Sequence, residues 1–474
     1  MFLLPESQLL EKYNIAGPRY TSYPTAPVWT ENYTNTTHLA NLIETNASIS
    51  STGHPEKHPV ALYTHVPFCE ARCLFCGCNV VITKKREQAQ KYLNYLFKEM
   101  TLVSDVMDSS RPVTQLHWGG GTPTYLSESE MVQLFEKQTT LFNIAPDAEI
   151  AIEVDPRVTT ESQLKLLRSL GFNRISLGVQ DFMPEVQAAV KRIQPYDLTA
   201  GMVNQCRELE FSGINFDLIY GLPHQTEQSF EETLNDVIRL APDRIALYSY
   251  AHVPWLSPHQ KSLDENALPA PEQKFKILQL ALSFLNDAGY VYIGMDHFAK
   301  PDDELSQALH NGNLYRNFMG YTVLRQSELS QVPELYGFGV SAISGLTHFF
   351  SQNQKKLSAY YHALDNNQLA TLRGYSLSPD DKIRQTVILK ILCTGFVDFN
   401  ALDAQFQIDS KAYFKSAFSN LHPLENDGLL TFTDNRLTVT PSGRLLSRNI
   451  AMAFDAYLEK MQAGSKSPTF SKTV

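Results

Sequence analysis

The chain has 474 residues, 43% of them hydrophobic and 19% charged, with a net charge of -10. That length exceeds one ordinary core and calls for a large domain with a smaller companion. The acidic balance, without a long basic stripe, tells against a general nucleic-acid binder. No apolar run approaches a membrane span, and the opening MFLLPESQLLEKYN lacks the basic segment and long apolar run of a secretory leader. A cytoplasmic location is expected, where thiols stay reduced.

Taken in chain order, residues 1–55 form an N-terminal segment that runs into the linker-like SSTGHPEKHP (50–59). Apolar β-rich runs then alternate with helical patterns: VALYTHV (60–66), VTQLHWG (113–119), AEIAIEV (148–154), RISLGV (174–179), INFDLIY (214–220) and RIALYSY (244–250). Stretches between them, such as QKYLNYLFKEMTLV and SFEETLNDVIRLA, space their apolar residues three to four apart. Six βα units in series imply an α/β fold with a parallel sheet, open or curled toward a barrel, over residues 56–300. Residues 301–370 read as a connecting segment on the substrate side. Residues 371–463 read as a small, mainly helical domain of winged-helix type, with a hairpin GLLTFTDNRLTVT turning at Asp434-Asn435 and one final helix through SRNIAMAFDAYLEK. Residues 464–474 are a polar tail.

In parallel α/β sheets chemistry sits at the carboxyl ends of the strands. The loop after the first strand carries Cys69, Cys73, Cys76 and Cys78, four of the six cysteines. In a reducing compartment such crowding points to metal ligation or catalysis rather than disulfides. Zinc is the plain alternative, but structural zinc sites draw on two separated pairs. A cubane iron-sulfur cluster is larger than one ion and can be gripped by one loop at three of its irons. Cys206 and Cys393 lie alone in helical patterns and read as core.

The spacing Cys69-x3-Cys73-x2-Cys76, with Phe75 before the third cysteine, resembles the radical S-adenosylmethionine superfamily. That resemblance implies a partial (β/α)6 barrel and a [4Fe-4S] cluster on Cys69, Cys73 and Cys76. It also implies S-adenosylmethionine on the fourth iron, split by one electron into methionine and a 5′-deoxyadenosyl radical. Cys78 would then stay off the cluster.

Over nearly its whole length the chain is similar to the oxygen-independent coproporphyrinogen III oxidases. The matching stretches include Gly17-Pro-Arg-Tyr-Thr-Ser-Tyr-Pro-Thr25, the Cys76-Gly-Cys78-Asn79 ending, Leu116-His-Trp-Gly-Gly-Gly-Thr-Pro-Thr-Tyr125, Ile152-Glu-Val-Asp-Pro-Arg157 and Asn215-Phe-Asp-Leu-Ile-Tyr-Gly-Leu-Pro223. The resemblance implies decarboxylation of two propionates of coproporphyrinogen III to vinyl groups, giving protoporphyrinogen IX in haem biosynthesis. Tyr63, Gly120, Glu153 and Ile343 would hold the cluster-bound S-adenosylmethionine. Phe75, Gly121, Thr122, Gln180, Arg192, Asp217 and Ala251 would hold a second one. No catalytic side chain is implied beyond the cluster and the cofactor radical. Arg19 lies in the N-terminal segment expected to cover the substrate, where it would meet a propionate.

An electron donor, a terminal electron acceptor and a monomeric state complete the expectation. One departure from the family pattern is Met319, in Asn317-Phe-Met319-Gly-Tyr-Thr322 where glutamine is usual, followed by a longer segment over 323–336. A thioether is a weaker acceptor than an amide, so substrate identity is the expectation this touches. The alternatives are a radical enzyme acting on another tetrapyrrole, as in anaerobic haem degradation, and a non-enzymatic haem chaperone.

Overall fold

The computed structural model describes residues 7–325, 328, 332–433, 435–464 and 470–473. The chain divides into two compact units. One gathers residues 30–281 and 325–376; the other gathers 1–29, 282–324 and 377–474. Among the described residues no helix is long and apolar enough to cross a membrane.

In the larger unit six parallel strands appear where the sequence places them: β1 (Val60–Val66), β2 (Pro112–Gly120), β3 (Asn143–Val154), β4 (Arg174–Gln180), β5 (Gly213–Tyr220) and β6 (Arg244–Ser249). The helices α1 (Glu87–Ser104), α2 (Glu128–Leu141), α3 (Glu161–Ser169), α4 (Tyr196–Glu208) and α5 (Glu227–Leu240) connect them in order. Their starts are locally encoded. Ser127 and Glu130, Thr160 and Gln163, and Thr226 and Ser229 form reciprocal capping boxes that satisfy the free N–H groups of the first turn.

The sheet is larger than the sequence periodicity suggests. A seventh parallel strand, β7 (Glu334–Phe338), pairs with the free side of β1, with Tyr63 opposite Gly337. It continues antiparallel through β8 (Ile343–Gly345), β9 (Phe349–Asn353) and β10 (Thr371–Ser376), and among the described residues the sheet does not close into a barrel. Part of the segment expected to be connecting is therefore sheet.

Strand alternation sorts the side chains. Ile175, Leu177 and Val179 of β4, and Ile214, Phe216 and Leu218 of β5, are buried. Ser176, Gly178, Gln180 and Asp217 point to the opposite face, which becomes the wall of the site. Parallel register aligns Gly178 with Asp217, and Tyr63 with His117.

The smaller unit contains the hairpins Val291–Gly294/His297–Ala299 and Leu314–Asn317/Gly320–Val323, with Met319 in the turn of the second. Ile293, Leu305, Leu314 and Tyr321 form its local core with Cys393, buried as its helical spacing implies. The helix Pro379–Cys393 and a three-stranded sheet follow. The expected hairpin is present as Leu430–Thr433 and Arg436–Val439, with a third strand, Phe396–Asp398, added; Asp434 lies outside the described residues. The single final helix is a correction: it breaks into Ser447–Met452 and Leu458–Gly464, and Asp455 in the gap accepts the Tyr457 N–H and the Tyr20 hydroxyl. Arg19 forms an ion pair with Asp296. Residues 326, 327 and 329–331 of the longer segment, and 465–469 and 474 of the tail, lie outside the described residues.

β7 is fixed to the rest of the large unit by a fully buried arginine. Arg111 donates to Glu334 (2.8 Å), Asn46 (2.9 Å), the Tyr336 hydroxyl (3.0 Å) and the His58 carbonyl (3.0 Å). Removing one partner of a buried ion pair leaves the other uncompensated, at a cost of about 3–5 kcal/mol. Arg111→Met is expected to destabilise the protein by that amount in denaturant titration. Arg111→Met with Glu334→Gln is expected to recover part of the loss. A single variant as stable as wild type would contradict this.

Candidate active site

The cysteine loop sits at the carboxyl end of β1 because its backbone is bonded there. Gly121 and Thr122, just past β2, donate to the Val66 and Phe68 carbonyls (2.8 and 2.9 Å), and Val81 and Thr83 donate to the Pro67 and Cys69 carbonyls (2.7 and 3.0 Å). Farther along, Leu74 donates to the Val190 carbonyl (3.0 Å), and His259 donates from Nε2 to the Cys76 carbonyl (2.8 Å). The first end of the loop is thus held by the end of β2, and the later part by the carbonyl that caps the short helix Pro184–Ala189 and by the His259 side chain.

Cys69, Cys73, Cys76 and Cys78 all line one cavity of about 470 Å³, within the size range of small-molecule sites. Among the described residues no three or more His, Cys, Asp or Glu are gathered closely enough to hold a single ion. Burial pushes the Cys69 thiol up to about 11, and its Sγ lies 3.4 Å from Thr122 Oγ1. The Cys78 thiol beside Cys76 pulls the Cys76 thiol down to about 6, while the same pairing pushes Cys78 up.

Eight of the expected cofactor residues line the cavity: Phe75, Gly120, Gly121, Thr122, Glu153, Gln180, Arg192 and Asp217. Tyr63, Ile343 and Ala251 are not in its lining. Tyr63, on β1, lies parallel to the His117 ring at 5.9 Å between centroids. His65 Nε2 donates to the Asn79 carbonyl (2.9 Å), which leaves Nδ1 to accept from the Tyr63 hydroxyl (3.1 Å). Ile343 opens β8 behind the turn 339–342. Glu99 of α1 anchors that turn, accepting from Gly339 N–H (2.7 Å), Tyr360 hydroxyl (2.7 Å) and Asn353 amide (2.5 Å). Ala251 follows β6, and its carbonyl accepts from Gln260, whose amide also reaches the Phe75 carbonyl (3.5 Å).

Three carboxylates from two strands converge here and are tuned differently. Glu153 accepts from the Gly120 N–H (3.0 Å) and lies 3.2 Å from His117 Nε2. Burial opposes its ionisation, but His117 and that N–H outweigh it and hold the carboxyl below its ordinary range. Among the described residues no cation forms an ion pair with Asp217. Burial, with the charge of Glu153 adding to it, pushes its carboxyl up to about 7, although Asn215 (3.0 Å) and Ser176 (3.2 Å) donate to it. Asp155 is buried too, yet Arg157 and Arg192 bind it (2.6 and 3.1 Å) and hold it low.

The glycines have a reason that the sequence does not show. A side chain at Gly120, whose φ is +115°, would meet the His65 ring at 2.6 Å, and one at Gly121 would meet the Pro67 backbone at 2.7 Å. Strand-end packing requires them before any ligand does.

Asp155 and Arg157, like His65, His117, Ser176 and His259, are site residues that sequence reasoning did not single out. The signals for Asp155 and Arg157 are position, just past β3 and after Glu153, and membership of the family-matching stretch Ile152–Arg157.

Comparison with known proteins adds the lineage. Residues 63–237 match the radical SAM superfamily model and residues 377–446 the HemN C-terminal domain model. An oxygen-independent coproporphyrinogen III oxidase of Synechocystis is 44% identical over 99% of this chain and 98% of its own length. The Escherichia coli protein of the same name is 43% identical over 95% of each. The solved structure of E. coli coproporphyrinogen III oxidase, described as a radical SAM enzyme, superposes with a TM-score of 0.87 at 40% identity, covering 96% of this chain and 99% of that one. Identity of this extent, on a shared fold that brings the cysteine loop and the strand-end carboxylates to one cavity, places the chain in the family of oxygen-independent coproporphyrinogen III oxidases, within the radical SAM superfamily.

Proposed function

We propose that this protein removes carbon dioxide from two propionate side chains of coproporphyrinogen III, leaving vinyl groups and yielding protoporphyrinogen IX without oxygen. The observation that carries the reading is the cysteine loop seated on one strand-end cavity, in a chain whose full-length relatives are named for this substrate. Radical SAM proteins work with a [4Fe-4S] cluster and S-adenosylmethionine, and this chain is one of them.

The residues present fit those groups. Thiols are soft donors suited to iron-sulfur clusters. A thiol pushed up to about 11, as Cys69 is, ionises only beside positive charge, which an iron centre provides. Cys69, Cys73 and Cys76 would hold the cluster, and Cys78 would remain off it. When bound, the cluster and S-adenosylmethionine supply the low-potential electron and the carbon radical needed to attack an unactivated propionate C–H bond. The protein's part is to bind, orient and exclude water.

Glu153, kept ionised at neutral pH, would accept from the amino group of the cluster-side S-adenosylmethionine, with Tyr63, Gly120 and Ile343 completing that site. A second S-adenosylmethionine would lie along Phe75, Gly121, Thr122, Gln180 and Ala251, its carboxylate at Arg192 and its amine at Asp217. A guanidinium from the loop before α4 and a carboxylate on β5 suit a zwitterion by charge pairing. The protein would act as a cytoplasmic monomer, with an external one-electron donor and a separate terminal electron acceptor.

Asp217 makes the second site dependent on pH. With its carboxyl pushed up to about 7, it is increasingly protonated as pH falls through that value, and its attraction for an ammonium is lost. Equilibrium dialysis of the reconstituted protein is expected to show two equivalents of S-adenosylmethionine above pH 7, the second weakening about tenfold per pH unit below it. Asp217→Asn is expected to bind one equivalent at every pH. Two equivalents retained in that variant would refute the assignment.

The function is tested by anaerobic incubation of the reconstituted protein with reductant, S-adenosylmethionine, coproporphyrinogen III and cell extract as a source of electron acceptor. Tetrapyrrole mass is expected to fall by two carbon dioxide units with formation of 5′-deoxyadenosine, and both signals should drop to background in Cys69→Ala. Cleavage of S-adenosylmethionine with an unchanged tetrapyrrole would move the activity to another substrate.

A further inference from the structure

Beyond β3 the chain turns through Asp155-Pro-Arg157. Arg157 grips the Asp155 carboxylate with both faces of its fork, Nε to Oδ1 at 3.0 Å and Nη2 to Oδ2 at 2.6 Å. Arg192 reaches the same carboxylate from Nη1 at 3.1 Å and donates from Nη2 to the Gly178 carbonyl at 2.7 Å. Both guanidinium groups go on to a sulfur: Arg157 Nη2 lies 3.5 Å from Cys73 Sγ, and Arg192 Nη1 lies 3.6 Å from it. Cys73, Asp155 and Arg192 are buried, and the Arg157 side chain is about one-fifth exposed. Two cations therefore share one carboxylate beside a single cysteine, leaving a net positive charge where the dielectric is low.

An ion pair placed only to fasten a loop has no need of a sulfur. Arginine can serve both partners here because its rigid fork holds Asp155 at two points while Nη2 keeps a second hydrogen for Cys73. Hydrogen bonds to a ligand sulfur, and positive charge beside it, stabilise the form of a metal centre that carries an extra electron.

We propose that Arg157 is a positioning residue for the cluster. Its N–H···S bond to Cys73 and its charge, aimed by Asp155, make one-electron reduction easier. The proposal rests on the reading that Cys73 is a cluster ligand. Within it, Asp155 acts in the opposite direction, since its charge offsets part of that of the two arginines.

The test is an EPR-monitored redox titration of the reconstituted wild type, Arg157→Gln and Asp155→Asn, without S-adenosylmethionine or substrate and with iron and sulfide content measured on each. Arg157→Gln is expected to make reduction about tenfold less favourable, a midpoint about 59 mV more negative for a one-electron couple. Asp155→Asn is expected to shift it positive. Loss of a purely structural contact would not give opposite signs. An Arg157→Gln midpoint equal to that of wild type, or shifts of the same sign in both variants, would overturn the proposal. If Arg157→Gln fails to assemble a cluster, the sign of the Asp155→Asn shift decides: positive upholds the proposal, zero or negative overturns it. A wild type that takes up no cluster would overturn the ligand reading, and this proposal with it; a wild-type cluster with unmoved midpoints would overturn this proposal alone.

Discussion

The site depends on the seating of the cysteine loop on the end of β2. The Gly121 and Thr122 N–H groups bond the backbone on either side of Pro67, and a side chain at Gly121 would collide with that backbone at 2.7 Å. A ten-residue run bearing four thiols has no regular structure of its own and would lose much conformational entropy on ordering. Backbone bonds from the end of β2, from Val81 and Thr83, and to the Val190 carbonyl, with a side-chain bond from His259, offset that loss and leave the thiols facing one cavity. The glycines of the neighbouring loop are thus a condition of the cysteine geometry before they are a surface for any ligand.

From that seat the carboxylates divide their roles through their neighbours. Glu153 has a histidine and an N–H group, Asp155 has two arginines, and Asp217 has the neutral donors Asn215 and Ser176. The same chemical group is therefore held ionised in the first two cases and left near neutrality in the third. Strand alternation puts them on the cavity side, while Ile152, Phe216 and their neighbours pack the other face.

What was legible in the sequence is what local chemistry encodes. Six strands and the helices between them follow from apolar periodicity, and the cluster motif from cysteine spacing. β7 was not legible: ELYGF is short, and its partner β1 lies far away in the chain. The two units escaped for the same reason, since the smaller one assembles three separated segments. Arg157 was hidden differently. An arginine two residues after an aspartate reads as a solvated ion pair, and only the folded chain brings Cys73 within 3.5 Å of it. Tyr63, Ile343 and Ala251 came from family resemblance and do not line the cavity; Tyr63 reaches it through His117 beside Glu153, and Ala251 through Gln260 beside Phe75.

The central claim is that three thiols hold the cluster while the fourth, Cys78, leaves one iron open for S-adenosylmethionine. Electron-nuclear double resonance on the reduced protein, with S-adenosylmethionine isotopically labelled in its carboxylate and amino groups, tests this most directly. Coupling of both labels to the cluster in wild type and in Cys78→Ser is the expected result. A cluster that shows no coupling, or one that Cys78→Ser fails to assemble, would contradict it.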